Sequence, residues 1–184
     1  YWLVLAPNKA SIYGEYLPLQ PELPAETFLD QLIAELEPKL NVIDLRGPLL
    51  ARKDKGFLYY HHDTHWNHLG SFWAKAAILD RLETAGYPKR RIQTSDFKIE
   101  EKYVASGDQR WMAKLSPSEW VDTDYQVAYL AEKPFSLLEV PAEEQSINPY
   151  KTANPTANLP KMLLFQDSFG DYLRVDLAYH FQEL

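Results

Sequence analysis

Cysteine is absent from all 184 residues. Its absence excludes a disulfide scaffold, a zinc–thiolate site and a cysteine nucleophile. It does not fix the compartment, because a periplasmic protein can also do without cysteine. Positive charge is scarce: 19 Lys and Arg stand against 26 Asp and Glu, for a net charge of −7. A phosphate backbone is gripped by a basic stripe. The one basic cluster here, Lys89-Arg90-Arg91, follows Tyr87-Pro88 at a helix end, where it offsets the helix dipole or meets solvent. Nucleic acid is therefore not an expected partner. No apolar run approaches the length of a membrane span. The chain opens at Tyr1, not at Met, and runs straight into apolar residues, as a piece excised from a longer protein does. A signal peptide or anchor removed upstream is compatible with that.

What is present reads as globular. Hydrophobic residues make up 46% and charged residues 24%, a balance that supports a packed core rather than disorder. The length suits a single domain. Aromatics reach 14%; they serve either to grip sugars or simply to fill the core.

Trp2-Leu3-Val4-Leu5 reads as a short buried strand stopped by Pro7-Asn8, and Val42, Ile43 and Leu45 mark a second one. Residues 13–24 are rich in Pro and Gly and read as loop. Phe28, Leu29, Leu32, Ile33 and Leu36 lie at helical spacing within 25–36, and Pro38 ends that helix. Residues 49–56 are charged, helix or loop, and 57–60 are aromatic and strand-like. A second helix is expected from the N-cap Asn67 to Gly86. Residues 92–140 alternate as strands around a short helix near 107–115, and 141–160 form a long Pro-, Asn- and Ser-rich loop. Met162-Leu163-Leu164-Phe165 has the look of a fully buried strand, followed by Asp167-Ser168-Phe169-Gly170 and a helix over 172–181. Strand-then-helix order at both ends predicts an α/β fold with a mostly parallel sheet, helices on its faces and a β-rich insertion.

Two segments carry chemistry. Ser168 sits between a strand and a helix, where open α/β sheets gather active sites and helix N–H groups can hold an oxyanion. Asp167 or Ser168 equally suits a plain helix cap. Asp63-x-His65 is the other segment. A serine hydroxyl needs a base, usually histidine, and the histidine needs a carboxylate to hold its tautomer. Residues two apart in an extended segment project to one side, which lets Asp63 reach the ring of His65. The same stretch holds His61, His62 and His68, so a metal site built on the His61 to His68 cluster is an alternative, with His180 as the remaining distant histidine. Trp66 is a sugar platform or a core residue. Of Tyr59 and Tyr60, one is expected to face the pocket. Gly107-Asp108 reads more readily as a helix cap than as part of a site.

Together these segments resemble the alginate O-acetyltransferase family, the AlgX/AlgJ-like branch of SGNH hydrolases. The resemblance rests on Pro7-Asn8-Lys9 with Ile12-Tyr13 and Tyr16-Leu17-Pro18, then Leu58-Tyr59-Tyr60. It continues through Asp63-Thr64-His65-Trp66-Asn67 with Gly70, Gly107-Asp108, and Asp167-Ser168-Phe169-Gly170. The Asp63 to Asn67 block is the specific one. The order is Asp-x-His early and Ser late, the reverse of common SGNH hydrolases. The resemblance implies a circularly permuted SGNH-hydrolase-like α/β/α sandwich in which Ser168 is nucleophile, His65 base and Asp63 its orienting partner. Trp66, Tyr60 and Asn67 are the expected substrate contacts. Residues 1–184 are expected to be one such domain, a fragment truncated at both ends.

The implied activity is transfer of an acetyl group through acetyl-serine onto hydroxyls of an exopolysaccharide such as alginate. No metal and no cofactor is implied. The implied partners are the polysaccharide acceptor and a membrane-bound acyltransferase that delivers acetyl, which places the protein in the periplasm or on an anchor facing it. A secreted carbohydrate acetylesterase, the metal-dependent hydrolase and a non-catalytic polysaccharide-binding domain are the alternatives. One departure is Gln166, where SGNH nucleophile blocks often have Gly.

Overall fold

The computed structural model describes residues 1–19, 26–88, 94–104, 107–116, 121–140, 150–155 and 159–184. The Lys89-Arg90-Arg91 cluster and most of the 141–160 loop lie outside them. Strand β1, Trp2–Leu5, pairs in parallel with β2, Asn41–Asp44, from Trp2 opposite Asn41 to Leu5 opposite Asp44. Between them come the short helix α1, Lys9–Ile12, and helix α2, Phe28–Leu36. Helix α2 starts at a capping box: the Thr27 hydroxyl accepts the Asp30 N–H, and the Asp30 carboxylate accepts the Thr27 N–H. After β2, the short helix α3, Arg46–Leu50, leads toward the histidine-rich segment.

The centre of the molecule is α4, His68–Thr84. Asn67 caps it as its sequence predicts, with its side-chain oxygen accepting the Gly70 N–H at 3.0 Å. Leu69, Phe72, Ala74, Ile78, Leu79 and Leu82 bury one side of this helix. Gly86, just beyond the end of the helix, has φ +89, a left-handed conformation that suits glycine. The helix packs on α3, on α6 (Gly170–Leu177) and on β4 (Asp122–Tyr129). Leu45, Leu49 and Leu58 are fully buried between these layers. The β-rich middle is real: β3, Phe97–Val104, runs antiparallel to β4, with helix α5, Asp108–Met112, between them. A smaller antiparallel pair joins β5, Ser136–Leu137, to β6, Thr152–Ala153.

Two strand expectations fail. Residues 57–60 form no strand; Tyr59 makes a single bridge to Trp66, and the Asn67 N–H donates to the Leu58 carbonyl. The chain folds back on itself there, because burial of Leu58, Tyr59 and Trp66 on one core closes the intervening loop. Residues 162–165 are not a buried strand either. Met162 and Leu164 pack on the core, but Leu163 and Phe165 are 80% and 88% exposed. An extended segment puts alternate side chains on opposite faces, and among the described residues only one face of this segment is covered. The helix expected over 172–181 begins at Gly170, ends at Leu177 and continues as a 3-10 turn, Ala178–His180.

Candidate active site

The loop closed by the Tyr59–Trp66 bridge holds the Asp-x-His segment singled out from the sequence. It presents Asp63 and His65, and it faces the turn that precedes α6 and carries Ser168. His65 Nε2 lies 2.7 Å from Ser168 Oγ, and His65 Nδ1 lies 2.6 Å from Asp63 Oδ1. A carboxylate can only accept, so Nδ1 holds the ring proton and Nε2 is left to accept the serine hydroxyl. Asp63 Oδ1 also accepts the His65 backbone N–H at 2.9 Å. The three residues expected from the sequence are thus brought together across 103 positions of chain.

The capping alternative for Ser168 is answered by its neighbour. Asp167 Oδ1 accepts the Phe169 N–H at 3.0 Å, and the Asp167 carbonyl accepts the Gly170 N–H. Asp167 closes the turn, and Ser168 Oγ points to His65. Trp66 ties the two loops together. Its Nε1 donates to the Phe169 carbonyl at 3.0 Å, and the Phe169 ring stands perpendicular to the indole and beside His65. Gln166 folds away from the serine; its Nε2 donates to Asp171, and a Cβ at Gly170 would lie 2.5 Å from the Gln166 side chain.

The substrate contacts expected of Trp66, Tyr60 and Asn67 need correction. All three are buried, with exposures of 1%, 3% and 0%. A buried ring offers no face to a sugar. Trp66 fixes the Ser168 turn, and Asn67 caps α4 while its Nδ2 donates to the Phe57 carbonyl at 2.7 Å. Tyr60 sits with its hydroxyl 3.4 Å from that of Tyr172, and burial raises its pKa, helped by that contact. Tyr59 is buried too and donates to the Pro7 carbonyl.

Sequence reasoning under-read Gly107-Asp108. The Asp108 N–H donates to Asp63 Oδ2 at 2.9 Å, so the Asp63 carboxylate is held by donors on both oxygens. The Asp108 carboxylate accepts from the Thr64 N–H and hydroxyl and lies 3.8 Å from His65 Nδ1. Burial alone would raise the Asp108 pKa, but the Thr64 hydrogen bonds hold it below its ordinary value. Gly107 allows this approach: its φ is +131, and a Cβ there would lie 2.1 Å from the His62 carbonyl oxygen.

Sequence reasoning gave Lys9 no role of its own. From α1 its ammonium donates to the carbonyls of Tyr60, His61 and Asp63 at 3.2, 3.1 and 2.7 Å. Three donors meet three acceptors of one loop, so Lys9 is a positioning residue for the Asp63–His65 segment. Burial lowers its pKa, opposed by the charges of Asp122, Asp63 and Asp108. Lys9→Met leaves those carbonyls without a partner and loosens the loop. The expected result is a fall in kcat of roughly 10- to 100-fold, the scale of an ångström-sized misplacement. Steady-state kinetics beside a thermal melt check it; an unchanged kcat refutes the role.

The histidine cluster is not a convergent metal site. Asp122 accepts the His61 and His62 N–H groups and lies 2.9 Å from His61 Nδ1. Asp124, two residues along β4, pairs with His68 Nδ1 at 3.0 Å. Burial would raise the pKa of either carboxyl, but bonds from these histidine residues hold both below the ordinary value. The His61, His65 and His68 rings are thus oriented by three separate carboxylates, those of Asp122, Asp63 and Asp124. Among the described residues, Asp63, His65 and Asp108 have ligand atoms within 4.8 Å of one another. Their 2.6 Å His65–Asp63 contact is a hydrogen-bond distance, whereas ligands sharing a zinc ion at about 2 Å each sit roughly 3 Å or more apart.

The sequence matches the family described as "SGNH hydrolase-like domain, acetyltransferase AlgX" over residues 1–168. A search of curated proteins finds no match. Among solved structures, a DHHW family protein from Eubacterium siraeum is similar with a TM-score of 0.67 at 21% identity, over 99% of this chain and 67% of that one. Bacillus cereus PatB1 with a sulfonyl adduct gives 0.64 at 14% identity, over 100% and 70%. The O-acetyltransferase domain of Pseudomonas putida AlgJ is 23% identical over 72% of this chain and 50% of that one, with a TM-score of 0.49. The family match, with the DHHW and PatB1 likenesses, speaks for the fold: an SGNH-hydrolase-like α/β arrangement.

Proposed function

Because the chain belongs to the AlgX family of SGNH hydrolase-like acetyltransferases, we propose that it moves an acetyl group through an acetyl-Ser168 intermediate onto a hydroxyl of an exopolysaccharide. The observation that carries this reading is the His65 Nε2 to Ser168 Oγ contact of 2.7 Å, with His65 Nδ1 already on Asp63. His65 takes the Ser168 proton as Oγ attacks the acetyl ester of the donor. The tetrahedral oxyanion collapses, the donor alcohol leaves with that proton, and acetyl stays on Oγ. The acceptor hydroxyl then gives its proton to His65 and attacks the acetyl carbonyl. The Oγ–acetyl bond breaks and Oγ recovers the proton. The Ser168 N–H, at the turn before α6, is the first candidate to hold the oxyanion.

Acetyl reaches such a site outside the cytoplasm from a membrane-bound acyltransferase, so the same reading places the protein in the periplasm or on an anchor facing it. No helix among the described residues is long and apolar enough to cross a membrane. Water in place of the sugar makes the same residues an acetylesterase. The test is rapid quenching during turnover of an acetyl ester, followed by peptide mass mapping. The expected result is one acetyl group on the Ser168 peptide, chased onto an added oligosaccharide. An aryl sulfonyl fluoride should label the same peptide and stop turnover. Turnover with no acyl-enzyme and no sulfonyl labelling refutes the serine mechanism.

A further inference from the structure

The pairing of His65 with Asp63 is repeated three residues further on. The Asp124 carboxylate takes His68 Nδ1 at 3.1 and 3.0 Å and the His68 backbone N–H at 3.2 Å. Asp63 takes the same two groups from His65. Lys102 Nζ also lies 3.6 Å from the Asp124 carboxylate. Burial would raise the Asp124 pKa, but its bonds from His68 hold it below the ordinary value. A carboxylate only accepts, so His68 Nδ1 keeps the ring proton and Nε2 carries the lone pair. The His68 side chain is 37% exposed. The hydrogen bonds of His68 among the described residues fall on Nδ1 and the backbone, which leaves Nε2 to meet a ligand.

Contacts with α6 place this second ring beside the reacting one. The His65 ring lies against Phe169, with centroids 5.0 Å apart, and the His68 ring lies against Tyr172, at 4.0 Å. Phe169 caps α6 in a helical conformation, and Tyr172 follows three residues later. Side chains three apart share a helix face, about 4.5 Å apart along the axis. Ser168 precedes Phe169 and holds His65 Nε2 at 2.7 Å. His65 and His68 therefore line one side of α6, less than a turn apart, with Ser168 at its start. His61 has a comparable bond to Asp122, but its ring lies against Phe57 instead of α6.

We propose that His68 holds the acceptor: its Nε2 accepts a hydrogen bond from a second hydroxyl of the sugar whose first hydroxyl attacks acetyl-Ser168. This rests on the acetyl-transfer reading and names a specificity-determining residue for it. His65 remains the base, and His68 moves no proton. Asp124 is a positioning residue that fixes the His68 tautomer. The acceptor class is an alcohol with hydroxyls on neighbouring carbons, as a sugar ring carries them. Water and alcohols with one hydroxyl cannot engage both histidines, so His68 tilts the acetyl-enzyme from hydrolysis toward transfer.

The experiment offers two ring alcohols that differ by one hydroxyl, cyclohexane-1,2-diol and cyclohexanol, as competing acceptors during turnover of an acetyl ester. Acetylated alcohols, acetate and acetyl on the Ser168 peptide are quantified by mass spectrometry. Beyond the statistical advantage of its second hydroxyl, the diol should be preferred roughly three- to tenfold, the scale of one neutral hydrogen bond. His68→Phe keeps a ring against Tyr172 and loses the nitrogen, so the preference should vanish while acetyl still forms on Ser168. His68→Gln, whose amide oxygen accepts in place of Nε2, should recover part of it. Asp124→Asn releases the tautomer and should weaken it. No diol preference in the wild type overturns the inference, and so does a preference that survives in His68→Phe. The wild-type comparison needs no substitution, so a misfolded variant does not shelter the inference. A wild type that forms no acetyl-Ser168 overturns the acetyl-transfer reading and this inference with it; acetyl-Ser168 without diol preference overturns this inference alone.

Discussion

Ser168→Ala and His65→Ala should each lower kcat for acetyl-ester turnover by three to six orders of magnitude, with the double variant little worse than either single one. Residues that act as one unit are strongly non-additive, and the loss of a nucleophile or its base falls roughly in this range. The geometry supplies the reason. With His65 removed, no other side chain among the described residues is hydrogen-bonded to Ser168 Oγ to take its proton; with Ser168 removed, the base at 2.7 Å has lost the nucleophile it activates. Neither change should unfold the protein. Ser168 is exposed, and His65 is 27% exposed at its side chain. Trp66, which ties the two loops together, is untouched by both. Equal melting temperatures with collapsed turnover are therefore expected. Single variants that retain near-wild-type rates refute the triad and put the chemistry on other residues.

The parts of this site that were legible in the sequence are the local ones. Asp63-x-His65 places a carboxylate against its own imidazole, and Asn67 before an apolar periodic run is a cap wherever it occurs. Strands β1 and β2 announce themselves as apolar runs with clear stops. What sequence reading missed arrives from far along the chain. Lys9 reaches the loop from 51 to 54 residues away, and Asp108 binds Asp63 across 45. No periodicity marks a lysine that ends on three carbonyls. A weak signal did exist for the histidine partners: Asp122 and Asp124 are two apart in a strand and so share a face.

The Asp63 to Asn67 block also shows how a specific motif can mislead at the residue level. Trp66 and Asn67 look like substrate contacts because they adjoin His65. They are buried, and their work is to hold the Ser168 turn and the start of α4. The motif is specific because catalysis and the packing that aims it occupy consecutive residues.

Asp63→Asn should cost about 10³- to 10⁴-fold in kcat with little loss of stability, the scale seen when a triad carboxylate becomes an amide. The carboxylate accepts on both sides: Oδ1 takes the His65 backbone N–H and Nδ1–H, and Oδ2 takes the Asp108 N–H. An asparagine has one oxygen and one amino group. With the oxygen toward His65, its amino group faces the Asp108 N–H, donor against donor, and pushes α5 off the loop. With the oxygen toward Asp108, the amino group faces Nδ1. The ring then moves its proton to Nε2, the nitrogen that must accept from Ser168. The first orientation misplaces the loop; the second removes the base. Nor can the amide match the carboxylate in stabilising the imidazolium that forms in the transition state. Nuclear magnetic resonance of the His65 ring nitrogens in the variant separates the two orientations, since only the second shifts the tautomer. A variant that keeps wild-type kcat would mean that Asp63 only shapes the loop and that Asp108, 3.8 Å from Nδ1, supports the charge on His65.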